Sequence, residues 1–150
     1  MKKLGLGLVL LITAISTLGC GGSGYNSKEA IKRGDVVTRP DRVENLARFE
    51  TFLENISNKK EDKIRVTGYT HEGEPIFEDL HYDGKELHYS HDNTNDKHSG
   101  DNKGIEKDVC TDILKKENEQ GKVAFYVSGC AEMEERELLS VEAGALQPQE

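Results

Sequence analysis

The sequence predicts an α+β fold in which a short helix and one main helix pack on an antiparallel sheet of about five strands. Between residues 41 and 57 the apolar residues recur every three or four positions, which is the spacing of a helix with one buried face. From residue 63 onward apolar and polar residues alternate, as they do along a half-buried strand. The dipeptide Asp83-Gly84 separates two such runs and is a strong signal for a β-hairpin.

The two helices have recognisable ends. The short helix is predicted over 27–33, where Ser27 or Asn26 can cap the first N–H groups and Gly34 is a typical C-terminal stop. The main helix is predicted over 41–57, after the brief extended segment 35–38 and Pro40. Its apolar stripe consists of Val43, Leu46, Phe49, Leu53 and Ile56.

The strands are expected at 63–70, on either side of Asp83-Gly84, at 107–116 and at 122–129. A two-residue type I′ turn at Asp83-Gly84 would set Tyr82 opposite Lys85. The same register pairs His81 with Glu86, Leu80 with Leu87 and Asp79 with His88.

The last two predicted strands place two cysteines together. If their connecting turn is centred on Gln120, Cys110 lies directly opposite Cys130. An exported pair of thiols in that geometry is expected to form a disulfide. Residues 91–104 contain no apolar side chain and predict a hydrated loop. The folded domain is then expected to span 27–130, followed by an acidic, poorly ordered tail over 131–150.

The N-terminus predicts export and attachment to a membrane. Residues 1–19 read as a signal peptide, with two lysines before an apolar stretch that is too short to span a bilayer. The segment ending in Gly19-Cys20 resembles the lipobox of bacterial lipoproteins, although Thr17 stands where that pattern prefers leucine. The resemblance implies a lipid, palmitate included, on Cys20 and a Gly/Ser tether over 20–26. An ordinary secretory cleavage site is the alternative.

The net negative charge of the chain argues against some classes of binding partner. The net charge is −8, and removal of two lysines with residues 1–19 takes it to −10. Nucleic acid is therefore not expected as a partner, because phosphate backbones are bound by clusters of Lys and Arg. The expected partners are the lipid bilayer, through the anchor, and an envelope protein or small ligand outside the cell membrane.

Two of the histidines belong to a candidate metal site. Under the predicted hairpin register, Asp79, His81, Glu86 and His88 project from one face of the sheet. Two imidazoles and two carboxylates can bind Zn²⁺, but the same residues can form two exposed charge pairs. We expect the charge pairs, with no metal and no cofactor. The segment 92–96 lacks the glycine and glutamate of an EF-hand, and no Gly-x-Ser-x-Gly motif indicates an enzyme.

Several segments together resemble DUF4362, an uncharacterised domain family of small lipoproteins from Gram-positive bacilli. They are KEAIKRGDVV (28–37), FLENISNKKEDKIRV (52–66), EPIFEDLHYDGKELHYSHDN (74–93) and VSGC (127–130). The resemblance implies no activity. The sequence is therefore best interpreted as a non-catalytic, membrane-anchored binding domain, with the hairpin face and the 91–104 loop as contact surfaces. The alternative is a lipoprotein that binds a metal or small ligand through the hairpin histidines.

Replacing Cys20 tests the predicted anchor. Cys20→Ser removes the only thiol that can carry the lipid, so the protein should leave the membrane fraction or remain as the uncleaved precursor. Fractionation followed by immunoblotting measures both outcomes, with Ser23→Ala in the tether as the control. A Cys20→Ser protein that is cleaved and still requires detergent for extraction would contradict the anchor.

Overall fold

A computed structural model describes residues 25–146. The architecture is α+β, as the sequence predicts. The helices are α1 (Ser27–Arg33) and α2 (Leu46–Ser57). The strands are β1 (Val36–Thr38), β2 (Val43–Glu44), β3 (Asp62–Tyr69), β4 (Pro75–Tyr82), β5 (Leu87–Asp92), β6 (Ile105–Cys110), β7 (Asp112–Glu117), β8 (Lys122–Ser128) and β9 (Arg136–Glu142).

The predicted signal peptide and the proposed lipid site Cys20 lie outside the described residues. Within 25–146, no helix combines the length and the apolar character needed to cross a membrane.

The strands form two sheets, so the expected single sheet of about five strands is wrong. The larger sheet has six strands in the order β2-β1-β3-β4-β5-β6, and the smaller has the order β7-β8-β9. The larger sheet is not wholly antiparallel either, since β1 pairs with β3 in parallel. A parallel pair needs a long crossover connection, and the segment that contains α2 supplies it.

Helix α1 has the ends that its sequence predicts. The Asn26 side chain accepts hydrogen bonds from the backbone N–H groups of Lys28 and Glu29, at 3.0 and 3.1 Å. Gly34 ends the helix in the left-handed conformation, with φ of 93°, and its N–H donates to helix carbonyls. Both caps satisfy backbone groups that a helix terminus leaves without partners.

Helix α2 begins later than the predicted residue 41. Residues 43 and 44 instead form β2, which pairs antiparallel with β1. Asn45 then adopts a left-handed conformation, with φ of 57°, and its side-chain N–H groups donate to the carbonyls of Ile31 and Asp35. These contacts join the start of α2 to the end of α1. Helix α2 therefore begins at Leu46, several residues after the predicted start.

The register of the β4–β5 hairpin differs by two residues from the prediction. A type I′ turn needs positive φ at both central residues, and of Asp83 and Gly84 only Gly84 has it, at 96°. Asp83 Oδ1 instead accepts hydrogen bonds from the N–H groups of Lys85 and Glu86, both at 2.8 Å. The loop therefore runs over 83–86. The resulting pairs are Tyr82 with Leu87, His81 with His88, Leu80 with Tyr89 and Asp79 with Ser90.

The β7–β8 hairpin has the predicted register. Asp112 lies opposite Ser128 and Ile113 lies opposite Val127, which centres the turn on Gln120. The strand predicted over 107–116, however, is divided at residue 111, because β6 belongs to the larger sheet and β7 to the smaller one.

A disulfide closes the corner between the two sheets. Cys110 is bonded to Cys130, as predicted. The bridge joins residues 20 apart in sequence, and a loop of that length contributes about 3 kcal/mol in the chain-entropy model. Gly129 permits the close approach, because a Cβ atom there would lie 2.0 Å from Thr111 Oγ1 and its φ is 62°.

The core lies where α2 packs between the two sheets. The Phe49 ring of α2 meets the Phe125 ring of β8 edge to face, with centroids 5.0 Å apart. Strand β9 contributes buried Leu138, Leu139 and Val141 to the same core. The prediction of a poorly ordered tail after residue 130 is therefore wrong for β9, whose pairing with β8 overrides the acidic composition of the segment.

Truncation of Leu139 tests the packing of β9. Leu139 is 2% exposed, so Leu139→Ala should lower the free energy of unfolding by about 2–5 kcal/mol, through lost burial and a cavity. Urea unfolding measures the change, and Ser140→Ala at the exposed neighbouring position should change it little. Equal effects of the two variants would contradict the packing of β9 in the core.

Candidate functional site

The larger sheet has two chemically different faces. Its core face carries Ile64, Leu80 and Tyr89, which are at most 8% exposed. Because successive side chains along a strand point to opposite sides, the polar residues between them lie on the other face. We call this second surface the open face.

Side chains of the open face form two cross-strand rows. The first row runs across β3, β4, β5 and β6 as Arg65, Asp79, Ser90 and Lys107. The second row runs across the same strands as Lys63, His81, His88 and Val109. Directly opposed residues in a sheet have Cβ atoms about 5 Å apart, so the side chains of each row are neighbours, and all of them except Val109 are polar.

Tyr25 and the end of α1 cover the adjacent part of the open face. The Tyr25 ring stands edge-on to Phe77, with centroids 4.9 Å apart. Its hydroxyl donates to Asp35 Oδ2 at 2.5 Å, and Thr67 Oγ1 donates to the same oxygen at 2.6 Å. Burial and the nearby Asp35 raise the pKa of Tyr25, so its hydroxyl remains a donor. We call Tyr25 and the end of α1 the wall, and it borders the two rows.

A cleft of about 670 Å³ results between the wall, the two rows and the edge of β3. Its charged lining is mostly cationic, with five basic side chains and two carboxylates. The basic residues are Arg33, Arg48, Lys63, Arg65 and Lys107, and the carboxylates are Asp35 and Asp79. The cleft is therefore positive although the whole chain has a net charge of −8.

Arg65 is fixed in the floor of the cleft. Its Nε and one terminal nitrogen donate to the two oxygens of Asp79, at 2.6 and 2.8 Å. Its guanidinium also lies over the Phe77 ring, 4.5 Å from the centroid. The hydrogen bonds from Arg65 to Asp79 raise the pKa of the guanidinium. Because both oxygens of Asp79 accept hydrogen bonds from Arg65, this carboxylate is not available to bind a metal together with the histidines.

Arg48 is fixed at the rim. Its two terminal nitrogens donate to the Asp62 carboxylate at 2.6 and 3.0 Å, and one of them also donates to the carbonyl of Lys63 at 2.8 Å. Asn55 adds a third side-chain hydrogen bond to Asp62. Burial alone would raise the pKa of Asp62, but the hydrogen bonds from Asn55 and Arg48 outweigh it and lower that pKa.

Three of the five cations have no carboxylate partner. Among residues 25–146, neither Arg33, Lys63 nor Lys107 takes part in an ion pair; Arg33 instead lies over the Tyr25 ring. Lys63 and Lys107 are exposed and project from the two rows at opposite sides of the cleft. These three side chains therefore supply the excess positive charge of the cleft, which the carboxylate of Asp35 offsets in part.

The two histidines of the second row face each other. Their ring centroids are 5.9 Å apart, with an angle of 33° between the planes. His81 Nε2 lies 3.2 Å from Glu61 Oε1, and His88 Nε2 lies 3.3 Å from Asp83 Oδ2. Hydrogen bonds from the backbone of Glu86 and Lys85, and then from His88, lower the pKa of Asp83 to about 2.

The predicted set Asp79, His81, Glu86 and His88 is thus only partly brought together. His81, His88 and Asp79 line the cleft, but Asp79 is paired with Arg65. Glu86 lies in the hairpin loop and is not opposite His81. The loop after β5 also differs from the predicted hydrated segment 91–104, because β5 extends through Asp92 and Asn93 hydrogen-bonds to Gly104 across the loop ends.

A second polar cluster lies on the core face and joins the two sheets. Glu78 accepts hydrogen bonds from the Tyr89 hydroxyl and faces His91 Nδ1 at 2.8 Å. Arg136 of β9 donates to Glu106 at 2.6 Å. Burial and then the charge of Glu78 raise the pKa of Tyr89. The Glu106–Arg136 pair links the two sheets, whereas Nη1 of Arg136 is buried and has no hydrogen-bond partner among the described residues.

The basic residues of the cleft were not among the sequence candidates. Lys63 and Arg65 alternate with Ile64 and Val66, which is enough to place them on the face opposite the core. The sequence around Lys107 and Arg33 does not indicate that they lie near Lys63 and Arg65. Only the folded arrangement brings β6 and the end of α1 to the same cleft.

Comparison with known proteins identifies one family. The sequence model described as Domain of unknown function (DUF4362) matches residues 33–125. The match contains both rows of the open face and every basic residue of the cleft. No curated protein and no solved structure matches the chain.

Acid should weaken the contribution of Asp62 to stability. Its pKa is lower in the folded protein than the ordinary value of 3.8, so its stabilising effect is complete above about pH 4 and is lost as the pH falls through the folded-state value. Asp62→Asn should therefore destabilise the protein at about pH 7 and progressively less toward about pH 2. Urea unfolding across that range measures the difference, with exposed Asp101→Asn as the control. If the effect of Asp62→Asn on the free energy of unfolding did not change with pH, the lowered pKa of Asp62 would be contradicted.

Proposed function

The chain belongs to the DUF4362 family, and we propose that its domain is a non-catalytic binding module whose open-face cleft holds a small anionic ligand. One observation carries the proposal. The cleft concentrates five basic side chains in a chain of net charge −8, and three of them lack a carboxylate partner among the described residues.

The charge distribution favours an anion over other ligands. A solvated surface usually mixes charges of both signs, whereas a cleft lined mainly by one sign attracts ligands of the other. Arg48 and Arg65 are already neutralised by Asp62 and Asp79. Lys63, Lys107 and Arg33 remain to neutralise a ligand, and their ammonium and guanidinium groups match phosphate or carboxylate oxygens.

The size and polarity of the cleft indicate a small molecule or the end of a larger one. A volume of about 670 Å³ lies within the range of small-ligand pockets. Ser90 and the two histidines add further hydrogen-bonding groups beside the lysines.

The proposed location is the outer side of a cell membrane. The support comes from the N-terminal sequence, in which a signal peptide precedes Cys20 and a Gly/Ser tether over 20–26. A lipid on Cys20 would hold the domain at the bilayer while the tether lets the cleft face the envelope. The Cys110–Cys130 disulfide agrees with an oxidising compartment. We assign the domain no catalytic step.

Replacing the two lysines of the cleft tests the proposal. Titration of the ¹⁵N-labelled protein with inorganic phosphate should shift the backbone signals of the two rows. Lys63→Gln combined with Lys107→Gln should weaken binding about tenfold, since two unpaired positive charges are removed. The matched control is Lys28→Gln with Lys115→Gln, which removes two exposed lysines outside the cleft.

Two results would contradict an anion site in the cleft. Phosphate shifts that spread over the surface without favouring the rows would indicate nonspecific screening. Equal affinities of the cleft and control double variants would exclude Lys63 and Lys107 as ligand contacts. Titration with acetate under the same conditions separates a preference for phosphate from a preference for carboxylate.

A further inference from the structure

The end of the β4–β5 hairpin gathers a set of ligand atoms that the expected register does not. The two-residue shift replaces the expected His81–Glu86 and Asp79–His88 pairs by a direct pair of imidazoles, His81 and His88. It also places the loop carboxylates beside the second imidazole. One ligand atom each from Asp83, Glu86 and His88 lies within 4.8 Å of the other two.

The ring spacing of the two histidines suits one shared ion, although His81 lies outside the set of mutually close ligand atoms. A metal–nitrogen bond is about 2.0–2.1 Å, so two imidazoles on one ion have ring centres roughly 5–6 Å apart. The rings of His81 and His88 are already 5.9 Å apart. His81 Nε2 faces Glu61 at 3.2 Å, so the ring must turn from this exposed and weak contact to reach the ion.

The loop presents its carboxylates in a fixed arrangement. Asp83 Oδ1 is held by the N–H groups of Lys85 and Glu86, which orients the other oxygen, Oδ2, toward His88 at 3.3 Å. Arg65 takes up Asp79, so that carboxylate does not compete for the site. Among the described residues, no lysine or arginine forms an ion pair with Asp83 or Glu86, and the one ionic contact of Asp83 is with His88.

We propose that the hairpin end binds Zn²⁺ through His88, Asp83 and Glu86, with His81 as the fourth ligand from the opposite strand. Two imidazoles and two carboxylates are a donor set that suits zinc, whereas Mg²⁺ and Ca²⁺ prefer oxygen ligands alone. The site is exposed and lies at the end of the sheet, so it is reached directly from solvent. It uses none of the lysines on which the anion proposal depends.

Calorimetric titration of the full chain, purified in detergent and freed of metal with a chelator, tests the proposal. ZnCl₂ should bind with one equivalent per chain and micromolar affinity, while MgCl₂ should give no saturable heat. His88→Ala and His81→Ala should each weaken Zn²⁺ binding at least tenfold. The matched control is His98→Ala, which removes an exposed histidine from another loop.

A second readout separates ligation from an indirect effect. The ring nitrogen signals of His81 and His88 should shift on addition of Zn²⁺, and those of His98 should not. The absence of saturable binding, or tight binding retained in His88→Ala, would overturn the site. The Lys63→Gln and Lys107→Gln double variant should keep its zinc affinity, so failure of the anion proposal and failure of the zinc proposal are distinguishable.

Discussion

The disulfide between Cys110 and Cys130 fixes the corner on which the two-sheet architecture depends. The chain leaves the larger sheet at Cys110 and enters the smaller one after Thr111, without an intervening loop. Such a sharp change of sheet requires close contact between neighbouring segments, and Gly129 allows it because it has no side chain. Asp108 reinforces the corner by accepting hydrogen bonds from backbone N–H groups of the segment 131–133. The corner thus sets how the smaller sheet lies over α2.

The placement of the core determines which surface is available for binding. Helix α2 and the smaller sheet bury one face of the larger sheet, and the Phe49–Phe125 contact lies at their junction. The opposite face is covered only in part, by Tyr25 and the end of α1. Most of the remainder carries polar side chains, as an exposed surface requires, and the apolar exceptions Ile105 and Val109 lie on the edge strand β6. The open-face cleft is therefore a direct consequence of an asymmetrically covered sheet.

The two proposed sites divide the same face according to charge. In the first row the Arg65–Asp79 pair fixes the floor and leaves neighbouring lysines free to meet an anion. At the hairpin end the local charge is negative instead, because the two loop carboxylates Asp83 and Glu86 lie beside His88. The two-residue shift of register produces this separation, since it pairs His81 with His88 and sends Glu86 into the loop. Because the register shift is an even number of residues, every side chain stays on its predicted face of the sheet and only its cross-strand partner changes.

The sequence by itself determined the features that depend on near neighbours. The caps of α1, the alternation along β3, the β7–β8 register and the disulfide were all predicted, because each rests on short-range patterns or on a single tight turn. The tertiary structure decided the rest. It divided one predicted strand at Thr111, gave β9 a place beside β8, and brought Arg33 and Lys107 to one cleft. Those outcomes depend on pairing and burial between distant segments, whose energies outweigh local composition and leave no local pattern.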